Sequence, residues 1–160
     1  MRKHKIYLET TIFNYYFDTE RDGHADTVKL FEEIRADKYE AYTSTYVTDE
    51  LEETKDNDRR ERMLALIGEY NITVIPGDDE ARRLSGVYIN AGIIPAAKSY
   101  DSLHIAIATI SNIDYVFSFN FQHINRIKTK TMTSVINISE GYKPVTIATP
   151  GEVVEHGESE

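Results

Sequence analysis

Short apolar runs alternate with longer amphipathic stretches along this chain. Lys5–Leu8 is a β-branched and aromatic run that stops at Glu9, and it predicts a first strand. Thr10–Phe17 carries Ile12, Phe13, Tyr15, Tyr16 and Phe17, the content of a short helix after a strand-to-helix turn. Ala25–Asp37 sets Val28, Leu30, Phe31 and Ile34 on one stripe, which is helical spacing. Glu40–Thr43 predicts a second strand, and Thr48–Glu53 a helix opened by a Thr or Asp cap. Asp58–Tyr70 opposes Met63, Leu64, Ile67 and Tyr70 to Arg59, Arg60, Glu61 and Arg62, an amphipathic helix. Asn71–Ile75 before Pro76-Gly77 predicts a buried strand and a turn. Asp78–Ala91 predicts a helix with Ala81, Leu84, Val87 and Tyr88 inside and Gly92 as its stop.

Ala97–Ile110 is apolar nearly all round after its first turn, so it predicts a buried helix. Tyr115–Ser118 is another short apolar strand. Asn125–Glu140 supports two readings. Its Thr, Val and Ile content suits a strand, while its length and Gly141 suit a helix. Val145–Ala148 predicts a last strand, and the residues after Pro150 an acidic tail that frays. Short strands alternating with longer helices predict an α/β fold with a mostly parallel sheet. The 160 residues fit one domain, expected over residues 1–150, with 151–160 as a flexible acidic tail. There is no internal repeat, low-complexity block or linker.

Composition narrows the function. With 0 Cys there is no disulfide framework, thiolate metal site or Cys nucleophile. Only Ile6, Tyr7 and Leu8 separate the basic start from Glu9, too few for the apolar region of a signal peptide. No run approaches the ~18 apolar residues of a membrane span. A cytoplasmic protein without membrane contact is expected. The 18 Lys and Arg against 27 Asp and Glu give a formal net charge of −9. That balance argues against holding nucleic acid by bulk positive charge, which needs Lys and Arg in excess at the ligand.

What matters is where the acids fall. Ligands of an open parallel sheet bind beyond the carboxyl ends of its strands. Glu9 directly follows the first predicted strand, Glu50 lies in the helix after the second, and Asn120 follows Tyr115–Ser118. Asp101 opens the buried helix. If the sheet is parallel, these four side chains can meet at one edge. Clustered carboxylates repel unless a cation neutralises them, and hard oxygen ligands suit Mg²⁺ or Mn²⁺. Such an ion activates water and stabilises charge on a phosphoryl oxygen, so hydrolysis of a phosphodiester is the reaction expected.

Each residue taken alone has a plainer use. Glu9 can be a solvated strand-end acid, and Glu50 part of a solvated face with Asp49, Glu52 and Glu53. Asp101 can favour the helix dipole, and Asn120 can shape a turn. The case rests on all four falling at one edge. Lys98, one short turn before Asp101, is a candidate phosphate contact. Arg126, Lys128 and Lys130 form the strongest local basic patch, just after Asn120, and are candidate contacts to nucleic acid. His104 and His123 are candidate bases or ligands, though His on an apolar helix or turn is usually packed and hydrogen-bonded.

The motifs themselves have a resemblance. Tyr7-Leu8-Glu9-Thr10-Thr11-Ile12 resembles the opening of PIN-domain nucleases, a strand followed by an acid and small hydroxyl residues. Ser44–Leu51 is similar to their second motif, a Glu in the helix after strand two. Asp101-Ser102-Leu103-His104-Ile105-Ala106-Ile107-Ala108 resembles the third, an Asp heading a buried Ala-rich helix. Asp114–Phe121 resembles the fourth, where a strand ends in Ser or Thr, one residue, then an acid. The order and spacing run from Lys5 to about Ile124.

The resemblance implies a three-layer α/β/α sandwich around a mostly parallel, about five-stranded sheet. It also implies a metal-dependent ribonuclease acting on RNA, often the VapC-like toxin of a toxin–antitoxin pair. An antitoxin protein and a homodimeric copy are the protein partners it implies. Carried over, Glu9, Glu50 and Asp101 are metal ligands, Thr11 and Ser118 orient acids or waters, and Asn120 fills the fourth acidic position. Glu9 stands where the family usually has Asp, and Asn120 where many members have Asp, so a second ion is held less tightly. Two alternatives stay open. One is a catalytically weak or inactive module of this fold that binds RNA or a protein. The other is a small-molecule phosphohydrolase, for which the chain lacks a Gly-rich phosphate loop.

Overall fold

The central strand β1 (His4–Leu8) has Ile6, Tyr7 and Leu8 fully buried, as expected of a parallel strand covered on both faces. The computed structural model describes residues 2–154. β1 pairs in parallel with β2 (Tyr39–Ser44) on one side and β4 (Tyr115–Phe117) on the other. β3 (Thr73–Ile75) and β5 (Thr146–Ala148) are the edges, so the sheet is five-stranded in the order β3-β2-β1-β4-β5. All four pairings are parallel. The strand order reverses at β1, so the crevice where ligands bind opens beyond Leu8 and Phe117.

The helices are α1 (Thr10–Phe17), α2 (His24–Arg35), α3 (Thr45–Glu52), α4 (Asn57–Glu69), α5 (Asp79–Asn90), α6 (Ser99–Ile110) and α7 (Ile127–Ser139). They layer on the sheet as the α/β/α sandwich expected. Local capping explains where several begin. Ser44, Asp56 and Asp78 each accept a backbone N–H from the first turn of α3, α4 and α5. The cap at Ser44 corrects the expectation of a helix from Thr48: Ser44 Oγ accepts from Tyr46 N at 3.2 Å, so α3 starts directly off β2. Asn71, with φ of 54°, closes α4, which trims the predicted strand Asn71–Ile75 to Thr73–Ile75.

α6 is buried from Asp101 through Thr109, as its composition predicted. The ambiguous segment is a helix. Gly141, with φ of 89°, ends the turn after α7. The inner face of α7 is polar: Thr129, Thr133 and Asn137 are buried, while Val135 and Ile138 are exposed. Asn137 Nδ2 donates to Thr109 Oγ1 at 3.1 Å and Thr133 Oγ1 to Thr129 O at 2.7 Å, so the buried polar atoms are satisfied.

Of the predicted tail, residues 151–154 are described. Pro150–Glu152 form a 3₁₀ turn capped by Thr149, whose N–H donates to Glu152 Oε1 at 2.7 Å, and Val154 is buried. Residues 155–160 lie outside the described residues. No helix among the described residues is long and apolar enough to cross a membrane.

Candidate active site

The site begins with the ends of β1 and β4, neighbours in the sheet. Glu9 follows Leu8 and caps α1, so its carboxylate is fixed by the strand-to-helix turn. Its Oε1 accepts from Thr11 N at 3.2 Å, Thr11 Oγ1 at 2.6 Å and Ser118 Oγ at 2.7 Å. Thr11 and Ser118 therefore orient one carboxylate from two elements. Ser118 Oγ also accepts from Asn120 N at 3.0 Å, which fixes the turn after β4. Glu9 is only 3% exposed, and burial raises its pKa against the opposing pull of His104, Thr11 and Ser118.

Glu50 enters from α3. Its Oε1 accepts from the Thr10 hydroxyl and lies 2.8 Å from His104 Nε2. Burial would raise its pKa, but the hydrogen bond and charge of His104 lower it below the ordinary range. For His104 the balance is reciprocal. Burial lowers its pKa, yet the bond to Glu50 and the charges of Glu50, Glu9 and Asp101 raise it overall. The other ring nitrogen, Nδ1, lies 2.7 Å from Tyr7 OH, which lies 2.7 Å from Ser44 Oγ. Desolvation holds the Tyr7 phenol well above its usual pKa, so it remains a hydroxyl. The chain Ser44–Tyr7–His104–Glu50 crosses β2, β1, α6 and α3.

Asp101, at the head of α6, is buried, and that burial raises its pKa. A side-chain hydrogen bond from Asn120 opposes the shift. Asn120 Oδ1 accepts from His123 N at 3.0 Å, so the group it turns to Asp101 is its amide N–H. The charge of His104 and the Asn120 amide both favour the charged form of Asp101, where an Asp at 120 would disfavour it.

Oxygens of Glu9 and Glu50 and a ring nitrogen of His104 lie within 4.8 Å of one another, close enough to share one cation. Asp101 stands outside that trio but inside the adjoining cleft of about 330 Å³, which Glu50, Lys98, Asp101, Asn120 and His123 line. The structure therefore brings the four expected edge residues into one region, and Lys98 with them. It does not bring in the whole basic patch. Arg126 Nη2 donates to Ile93 O at 3.1 Å, Lys128 Nζ to Gly92 O at 3.3 Å, and Lys130 Nζ reaches Ile147 O at 3.5 Å. None of these three lines the cleft.

The donor set fits a hard divalent ion. Burial is the main cause that raises the pKa of Glu9 and Asp101, and the charge of Glu50 adds to it in both. His104 is engaged at both ring nitrogens, by Tyr7 OH and by Glu50, so the carboxylate oxygens are the ligand atoms left free to face an ion. Carboxylate oxygens suit hard divalent ions. Tyr7 and Thr10 are partners that motif reading did not assign, and His104, a candidate base or ligand in the sequence, is here the hydrogen-bond partner of Glu50 and Tyr7. Asp101 and His104 are three apart on α6 and so share a face, a spacing that points to His104.

A family model described as PIN domain matches residues 6–130. No curated protein sequence matches the chain. Among solved structures, the chain is similar to VapBC2 from Rickettsia felis, solved bound to a DNA fragment from its promoter. The TM-score is 0.56 and the identity 13%, covering 91% of this chain and 98% of that one. It is similar also to VapC20 of Mycobacterium tuberculosis, a toxin that cleaves the sarcin-ricin loop. There the TM-score is 0.57 and the identity 13%, covering 88% of this chain and 98% of that one. At that identity the likeness shows a shared fold.

Proposed function

The chain belongs to the PIN domain family, and from that premise we propose that it is a divalent-metal-dependent endoribonuclease and the toxin of a toxin–antitoxin pair. The observation that carries this reading is the convergence of Glu9, Glu50 and Asp101 at the sheet's switch point, each oriented by its own hydrogen-bond partner.

Glu9, Glu50 and Asp101 would hold Mg²⁺ or Mn²⁺. A bound ion there lowers the pKa of water and stabilises charge on the phosphoryl oxygens. The chain's own residues do the positioning. Thr11 and Ser118 fix Glu9, while Thr10 and His104 fix Glu50 and keep it ionised. Asn120 favours the charged form of Asp101. Lys98, exposed at the mouth of the cleft, offers an ammonium to the phosphate. Arg126, Lys128 and Lys130, beyond the cleft, are left to phosphates further along the strand. The antitoxin partnership draws support from the fold shared with VapBC2 and VapC20.

Labelled single-stranded RNA incubated with Mn²⁺ tests this. Wild-type protein cleaves it, chelation stops the reaction, and Asp101→Asn is slower by about a hundredfold or more, the scale of losing one group that stabilises transition-state charge. Equal cleavage by both proteins would sink the proposal.

A further inference from the structure

Phe121 breaks the ordinary partition of apolar side chains. It is 56% exposed, and it sits in the turn between β4 and α7 rather than on a helix face. Its neighbours Asn120 and Gln122 both line the acidic cleft. Its Cα is ~3.8 Å from each of theirs.

The ring is also braced. Phe121 meets Phe119 edge-on, with centroids 6.4 Å apart. Phe119 stacks on Tyr15 at 3.8 Å and 4°, and the Arg21 guanidinium lies 5.0 Å over the Tyr15 ring. Phe119 N donates to Thr11 Oγ1 at 2.8 Å, and that same hydroxyl donates to Glu9. An aromatic column is therefore tied through one hydroxyl to a carboxylate of the candidate metal centre, with an exposed ring at its outer end.

We propose that Phe121 stacks a nucleobase next to the scissile phosphate. The proposal rests on the ribonuclease reading. The turn that holds Phe121 borders the cleft of Glu50 and Asp101 through Asn120 and Gln122. A chain with a net charge of −9 lacks the bulk field that usually holds a polynucleotide. Base–aromatic stacking supplies affinity without positive charge, and it needs a base whose face is free of a helix stack.

The chain has no Trp, so Phe121→Trp introduces a lone indole reporter. Its emission should be quenched by a single-stranded oligoribonucleotide and left unchanged by an abasic ribose-phosphate oligomer. In cleavage assays Phe121→Ala should raise KM for single-stranded RNA roughly tenfold with kcat retained, while Phe121→Trp keeps the wild-type KM. Emission unmoved by RNA, together with an unchanged KM in Phe121→Ala, would overturn the proposal and point to a protein partner for this ring. Quenching in a protein that cleaves no RNA would support the stacking site and overturn the ribonuclease reading instead.

Discussion

Burial raises the pKa of Glu9 and Asp101 together, so an ion-free centre carries an electrostatic cost. Glu9→Gln keeps an oxygen for Thr11 and Ser118 and removes the buried charge. It should raise the metal-free melting temperature by about 2–4 °C, equivalent to ~1 kcal/mol for a domain of this size, while RNA cleavage is lost. Scanning calorimetry with and without Mn²⁺ checks this, because the ion should stabilise wild type and not the variant. Asn120→Asp should do the reverse. It replaces a donor to Asp101 by a like charge, so the metal-free protein should melt lower and gain more from Mn²⁺ than wild type does. The acids were readable from sequence because Glu9 directly follows a strand, Asp101 opens a helix and Glu50 lies in the short helix after β2. His104 was a candidate, but its place between Tyr7 and Glu50 was not readable, because they are 97 and 54 positions away and only the folded sheet joins them.

α7 shows why one element resisted sequence reading. Amphipathic analysis assumes apolar inside and polar outside, and α7 inverts it, with Thr129, Thr133 and Asn137 buried and Ile127, Val135 and Ile138 exposed. α6 is buried all round, the remaining helices follow the rule, and the spans of all of them followed from the pattern to within a few residues. The largest shift was α3, where a side-chain cap on the last residue of β2 overrode the apparent start. The entry to α2 is governed by sterics. Gly23 has φ of 98°, and a Cβ there would fall 2.7 Å from the Phe119 ring. Gly23→Ala should destabilise by about 1–3 kcal/mol, the usual cost of a forced backbone conformation, and chemical denaturation measures it. Moving Phe119 should also weaken RNA cleavage more than an equally destabilising change in α7.

Across the whole molecule, Asp114 at the amino end of β4 gathers the opposite edge of the sheet. It accepts from Lys5 N at 2.8 Å and Lys143 Nζ at 2.7 Å, and it pairs with Arg2. Burial opposes its ionisation, but these donors hold its pKa well below the carboxylate range. A carboxyl so depressed contributes stability above its unfolded pKa, and loses it as pH falls through the folded one. Asp114→Asn should therefore be less stable than wild type at neutral pH, by roughly 1–3 kcal/mol, and the gap should begin to narrow below about pH 4 and shrink further as pH falls toward the depressed folded pKa. Urea denaturation across that range tests it.

The net charge of −9 argues only against binding by bulk field. Glu9, Glu50 and Asp101 lie around the switch point of a five-stranded sheet, and they are the carboxyls proposed to hold a cation. The most direct test is a crystal soaked in Mn²⁺ and measured at the manganese absorption edge. An anomalous peak bonded to Glu9, Glu50 and Asp101 oxygens is the result expected, lost in Glu9→Gln. A saturated soak with no peak among these three carboxylates would contradict the account.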